Sequence, residues 1–214
     1  MISIKNIITG KWKENCYIVY SSNKETLIID PGSNASEIIQ FVKENDLKIL
    51  AILNTHAHYD HIGGIYELKE TFSVPFYLHS EDQKLLKSAN LYKAIFDGEH
   101  PIKIPQVDYY FDQIKTPVQL GEFTINVIFT PGHTKGGVCF CIEDMIFTGD
   151  TLLEGHIGRV DLPGGNKLTL LNSLKILSTL PKDHKVFSGH GKETTIAHEL
   201  ANNKRFSEVL SLVQ

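Results

Sequence analysis

Apolar residues along the chain fall into short blocks with two different periods. Residues 2–8, 16–21 and 25–29 read as strands, the first two joined by a polar turn that carries Trp12, the third ending at Asp30-Pro31-Gly32. The pattern then changes to helical spacing. Ile38, Ile39 and Val42 share a face of a helix starting at Asn34, with Glu37 as a capping-box analogue. Ile49-Leu50-Ala51-Ile52-Leu53 is a continuous apolar run within a buried strand over 47–54. Residues 62–72 read as a helix entered through Gly63-Gly64, 75–79 as a short strand, and Ser80-x-x-Gln83 as the start of a helix running through Leu85, Leu86 and Ala89. Residues 91–116 hold Tyr92, Phe96, Tyr109, Tyr110 and Phe111 among prolines and charges, and predict a loop or flap anchored on the core, with lining of a substrate entrance as the second reading.

A second block repeats the order. Strands are predicted at 118–120, 123–130, 137–142 and 145–148, with Gly121-Glu122 as a hairpin turn. An amphipathic helix over 167–180 is stopped by Pro181, Val186-Phe187 is a last strand, and 195–213 a C-terminal helix. Residues 25–32 loosely echo 143–150, and 53–56 echo 187–190, as expected of two related halves.

Composition narrows the class. The 214 residues fit one domain spanning 1–214, and a net charge of −4 gives no basic footprint for nucleic acid or an anionic membrane. No secretory leader pattern or spanning apolar run is present, so a cytoplasmic protein is expected. Cys16, Cys139 and Cys141 have no C-x-x-C spacing and read as buried free thiols.

The chemistry lies at the ends of the strand-like runs. His56, His58, Asp60 and His61 fall within six positions, and two residues apart on extended backbone His56 and His58 point the same way. Asp60 and His61 come at the start of a helix, where a carboxylate is held ionised. His133, Asp150 and His190 each follow another apolar run. Imidazole and carboxylate without thiolate suit zinc, iron or manganese, and five histidines with two aspartates exceed one tetrahedral site. His79, His100, His156, His184 and His198 match no ligand position, although His156 follows Asp150 closely enough to face the site.

The pattern His56-x-His58-x-Asp60-His61, followed by His133, Asp150 and His190, resembles the metallo-β-lactamase superfamily over nearly the whole chain. Asn15-Cys16-Tyr17, Gly158-Arg159-Val160-Asp161 and Ser188-Gly189-His190-Gly191 make it most similar to the short, glyoxalase II-like hydrolases. The resemblance implies an α+β fold, a four-layer αβ/βα sandwich of two mixed sheets flanked by helices. It implies two divalent metals, zinc first with iron or manganese as alternatives: His56, His58 and His133 on one, Asp60, His61 and His190 on the other, Asp150 bridging. A metal-bridging hydroxide, oriented by Asp60, would attack a small-molecule thioester of the hydroxyacylglutathione type. Asp30 would support a ligand histidine, and an Arg159–Asp161 ion pair would fix the loop after Asp150, in preference to a substrate contact. Lys192 is read as an exposed lysine rather than an anion site. The alternatives are a mononuclear iron persulfide dioxygenase, a lactonase or other ester hydrolase, a β-lactamase, and a binding protein with a vestigial site.

Overall fold

The computed structural model describes residues 1–33, 35–98 and 100–211. Three strands open the chain, β1 (Ile2–Thr9), β2 (Glu14–Ser21) and β3 (Glu25–Ile29), followed by α1 (Ala35–Glu44) and β4 (Lys48–Leu53). Next come α2 (Tyr59–Ile62), α3 (Ile65–Phe72), β5 (Phe76–Leu78), α4 (Gln83–Lys87), α5 (Ala89–Phe96) and β6 (Tyr109–Tyr110). The second half begins with β7 (Val118–Leu120), β8 (Phe123–Phe129), β9 (Val138–Ile142), β10 (Met145–Gly149) and the small pair β11 (Leu152–Leu153) and β12 (His156–Ile157). It ends with α6 (Lys167–Ser178), β13 (Lys185–Ser188), β14 (Thr194–Thr195), α7 (Ile196–Asn202) and α8 (Lys204–Ser211).

The strands form two six-stranded mixed sheets, ordered β1-β2-β3-β4-β5-β6 and β14-β13-β10-β9-β8-β7. Strand alternation sends each sheet's side chains to two faces. Ile18, Ile28, Ile52 and Phe76 pack outward on Ile38 and Val42 of α1 and Leu68 of α3. Val19, Leu27, Ile29 and Leu53 face inward, against Phe123, Ile125, Phe140 and Phe147 of the other sheet. On that sheet's far side, Cys139, Ile146 and Val186 meet Leu170, Leu174 and Leu177 of α6, Ile196 and Phe206. These three cores make the four-layer sandwich, each fully buried side chain of this size contributing roughly 1.5–3 kcal/mol. The repeat has a structural counterpart: β3 and β4 are paired in parallel, as are β10 and β13.

Several boundaries differ from the sequence expectation. The helix expected over 62–72 is two pieces, because Gly64 N–H donates to the Pro31 carbonyl at 2.9 Å and the chain bends against that turn. The Ser80-x-x-Gln83 box does not form: Ser80 Oγ donates to Asp112 Oδ2, and residues Ser80–Asp82 make a single 3-10 turn. Within 91–116, residues 91–96 continue α5, and Tyr109 and Phe111 stack on Tyr77 with ring centroids 4.8 and 5.8 Å away, so the later part is anchored on the core. The C-terminal helix is broken at Asn203, whose side chain caps Phe206 N–H. The two-residue strands β11, β12 and β14 are too short to leave a pattern. The helix start expected at Asn34 and the helix end at 213 lie outside the described residues.

Candidate metal centre

The predicted site residues all leave strands at one edge of the sandwich. His56 and His58 follow β4, Asp60 and His61 open α2, His133 joins β8 to β9, and Asp150 and His190 follow β10 and β13. Backbone hydrogen bonds stitch these ends together: Val138 N–H to Thr55 O at 2.9 Å, Gly189 N–H to Gly149 O at 2.8 Å and Asn15 N–H to Gly189 O at 2.7 Å. Gly132, at φ +133, permits the approach of α6, since a Cβ there would lie 2.3 Å from Leu170 N.

Two trios converge, His56–His58–His133 and Asp60–His61–His190, each with its potential donor atoms within 4.8 Å of one another. The Asp150 carboxylate stands between them. Its Oδ2 is 3.6 Å from both His133 Nε2 and His190 Nε2, and its Oδ1 is 3.7 Å from His61 Nε2. A third grouping, Asp30–His56–His61, also meets within that distance. There, however, the Asp30 carboxylate already takes Thr55 N–H at 2.7 Å, Thr55 Oγ–H at 2.6 Å and His61 Nδ1 at 3.1 Å. Asp30 sits at φ +48, a left-handed conformation that Asp tolerates better than most residues.

Four histidines have one ring nitrogen pinned by the protein and the other turned into the cluster. His61 Nδ1 faces Asp30, His133 Nδ1 faces Arg159 O at 2.8 Å, and His190 Nδ1 faces Trp12 O at 3.0 Å. His56 Nδ1 faces Thr55 Oγ at 3.0 Å, and because that hydroxyl gives its own proton to Asp30, the imidazole is the donor. In each ring Nδ1–H is therefore fixed and Nε2 is turned into the cluster, where His133 Nε2 meets His58 Nδ1 at 2.9 Å, the arrangement that orients ligating imidazoles. His56 Nε2, His61 Nε2 and Asp150 Oδ1 are buried without any hydrogen-bond partner. Orphaned buried polar atoms cost roughly 1–3 kcal/mol each, and one cation at each trio, with Asp150 shared, would satisfy all three. The residues fit the group.

Residues 9–190 match the family model of the metallo-beta-lactamase superfamily. The chain belongs to the metallo-beta-lactamase superfamily. Within it, the Bacillus subtilis protein named probable metallo-hydrolase YqgX is 38% identical, over 91% of this chain and 92% of its own. Hydroxyacylglutathione hydrolase GloC of Haemophilus influenzae is 32% identical, over 94% and 97%. Among solved structures, BLEG-1 B3 metallo-beta-lactamase superposes with a TM-score of 0.90 at 37% identity, covering 96% of this chain and 100% of that one. TTHA1623 in a di-iron-bound form gives 0.85 at 33%, covering 94% and 99%.

The electrostatics of this superfamily site divide its ligand-type residues. Burial, reinforced by His61, pushes His56 well below the usual imidazole range, and burial beside His133 lowers His58 to about 3. Burial opposes charge on His61 as well, but Asp60, Asp30 and Asp150 overcome it and push that imidazole well up. For His190, Asp150 and Asp60 likewise outweigh burial. The imidazoles in turn hold Asp60 and Asp150 below the usual carboxylate range against the effect of burial. A carboxylate field that rewards positive charge on His61 also rewards a cation beside it.

Three residues that support the superfamily site left no motif in the sequence. Asp82 is 1% exposed, and its carboxylate accepts from Ala57 N–H, Thr134 Oγ–H and Gly136 N–H at 3.0, 2.9 and 2.6 Å. It ties the His56–His58 segment to the His133 loop. Glu14 lies buried behind His61, its Oε1 3.9 Å from His61 Nδ1 and burial pushing its carboxyl well up. Trp12 acts through a backbone carbonyl, which no side-chain pattern reveals. Arg159 donates to Asp161 through Nε and Nη2, both at 2.8 Å, so the ion pair forms as expected. Cys16, Cys139 and Cys141 are free and buried. His156 and Lys192 are exposed, and neither lines the cavity above the cluster. No helix among the described residues is long and apolar enough to cross a membrane.

Proposed function

We propose that the protein is a binuclear metal-dependent hydrolase of small-molecule thioesters, active as a single domain in the cytoplasm. The carrying observation is the set of four Nδ1-pinned histidines whose Nε2 atoms converge with Asp60 and Asp150. His56, His58 and His133 would hold one cation and Asp60, His61 and His190 the second, with Asp150 shared. Two such cations supply Lewis acidity for the carbonyl and a water acidified from about 15.7 toward about 7. Zinc, iron and manganese all suit nitrogen and carboxylate donors.

The chain's own groups do the positioning. Asp60, held ionised at the cavity floor, accepts a hydrogen bond from the attacking water and aims its oxygen at the carbonyl. His190 Nε2 lies 3.4 Å from Asp60 Oδ2, so the two would share the second cation, which would hold that carboxylate in place. As the water oxygen bonds to carbon, the C–S bond breaks and the sulfur leaves as thiolate. A thiol pKa of about 8.5 makes that departure feasible without a dedicated acid, and the water's proton passes to solvent.

Elemental analysis of protein purified without chelator, followed by a thioester panel that includes S-D-lactoylglutathione, tests the reading. About two zinc, iron or manganese per chain with thiol release is expected. About one iron with oxygen uptake on glutathione persulfide overturns it in favour of the dioxygenase. Similarity to BLEG-1 supports a second reading, β-lactam hydrolysis. Nitrocefin turnover without thioester turnover would put that reading first.

A further inference from the structure

The open side of the metal cluster faces a cavity of about 240 Å3. His58, Asp60, His133, Asp150 and His190 reach its floor, and Trp12, Tyr59, Leu85, Tyr92, Phe96 and Leu162 form its walls. Trp12 and Phe96 remain 46% and 41% exposed there. Two large apolar side chains held open beside a reactive centre are surface that a bound group can cover. The wall is held in place. Trp12 Nε1 donates to Asp97 Oδ1 at 2.9 Å while the Trp12 carbonyl takes His190 Nδ1, so the wall and the cluster share one hairpin.

Charges near the mouth are already paired. Apart from histidines, the basic side chain among the described lining residues is Arg159, and its guanidinium is engaged twice by Asp161. Asp97 takes Lys93 Nζ at 3.1 Å, with Lys11 Nζ 3.7 Å away. An anionic substituent entering this space would compete with Asp161 for Arg159. An uncharged apolar one would need no such exchange and would remove both itself and the wall from water.

We propose that the substrate carries an uncharged, apolar group beside the scissile bond, seated against Trp12, Leu85 and Phe96. The group is either the acyl chain or the thiol substituent, and the proposal rests on the thioesterase reading of the same site. The cavity is below the roughly 300–1,000 Å3 of sites for drug-sized ligands, so it takes one short branched-alkyl or aromatic group and not a charged peptide.

The test uses the protein as purified with its metal. One arm varies the acyl group of N-acetylcysteamine thioesters (acetyl, butyryl, isovaleryl, phenylacetyl); the other varies the thiol of acetyl thioesters (N-acetylcysteamine, butanethiol, benzyl mercaptan, glutathione). In one arm kcat/KM should rise about fourfold per buried methylene, with the aromatic member at least tenfold above acetyl. Phe96→Ala and Leu85→Ala should each cut that aromatic-to-acetyl ratio severalfold. Flat series in both arms, or preference for the glutathione thioester over the benzyl one, overturns the proposal. Trp12 is the chain's single tryptophan, so its fluorescence gives a readout independent of turnover. Ketone analogues with a methylene between carbonyl and sulfur should perturb it, with Kd tightening as the apolar group grows. If no thioester is hydrolysed yet the analogues show that trend, the thioesterase reading falls and the pocket assignment stands. If thioesters are hydrolysed while neither rates nor Kd follow apolar size, the pocket assignment falls alone.

Discussion

Asp82 places one carboxylate against two loops, at Ala57 and Thr134, that are 77 positions apart, and both loops carry histidines of the first trio. Asp82→Ala leaves two buried N–H groups and a hydroxyl unpaired, at roughly 1–3 kcal/mol each. We expect a loss of about 3 kcal/mol in urea unfolding and weaker binding of one metal equivalent. Unchanged metal affinity in a folded variant would show that Asp82 holds the loops without setting the histidines. The ligand-type residues were legible because each is chemically distinctive and the spacing His-x-His-x-Asp-His is rare. Asp82, Glu14 and the Trp12 carbonyl were not, because an acid among acids or a backbone oxygen acquires meaning only from what it faces.

The two trios belong to different elements and respond to protons differently. Protons compete with metal for imidazole, so a ligand with a raised pKa loses its metal at a higher pH. His61 and His190, near α2 and after β13, are raised, whereas His56 and His58 after β4 are lowered. As pH falls from 7.5, proton competition should therefore begin at a higher pH for the equivalent held by Asp60, His61 and His190 than for the one held through His56 and His58, and at comparable affinities the former is released first. Elemental analysis after dialysis across pH 7.5 to 4.5 checks the order, and His190→Ala should lack the first step. The turn after β13 gives another expectation. A Cβ at Gly189 would lie 2.3 Å from Asp150 Oδ1 and 2.6 Å from His61 Cε1. Gly189→Ala should displace both side chains and lower activity by tenfold or more with a smaller effect on stability, measured by kcat/KM and thermal unfolding. Strand spans were legible from alternation. The failed Ser80 cap was not, since a hydroxyl that could cap a helix donates to Asp112, a partner thirty-two positions away.

At the scale of the molecule, a cation bound only by the folded chain stabilises it by mass action, about 4 kcal/mol when free metal is a thousandfold above its Kd. Chelation should therefore lower Tm by roughly 10 °C for a chain of this length, and re-addition of metal should restore it. An unchanged Tm at full metal removal would mean that the two halves hold the site without its ions. The sequence by itself determined the alternation of strands and helices, the echo between the halves and the residue types at the strand ends, because periodicity and chemical identity are local properties. Tertiary structure alone decided that those ends share one edge, which ring nitrogen of each histidine is pinned, and that Trp12, Leu85 and Phe96 wall the same cavity. These are distances between residues far apart in the chain, fixed by how two sheets pack, and no local pattern encodes them.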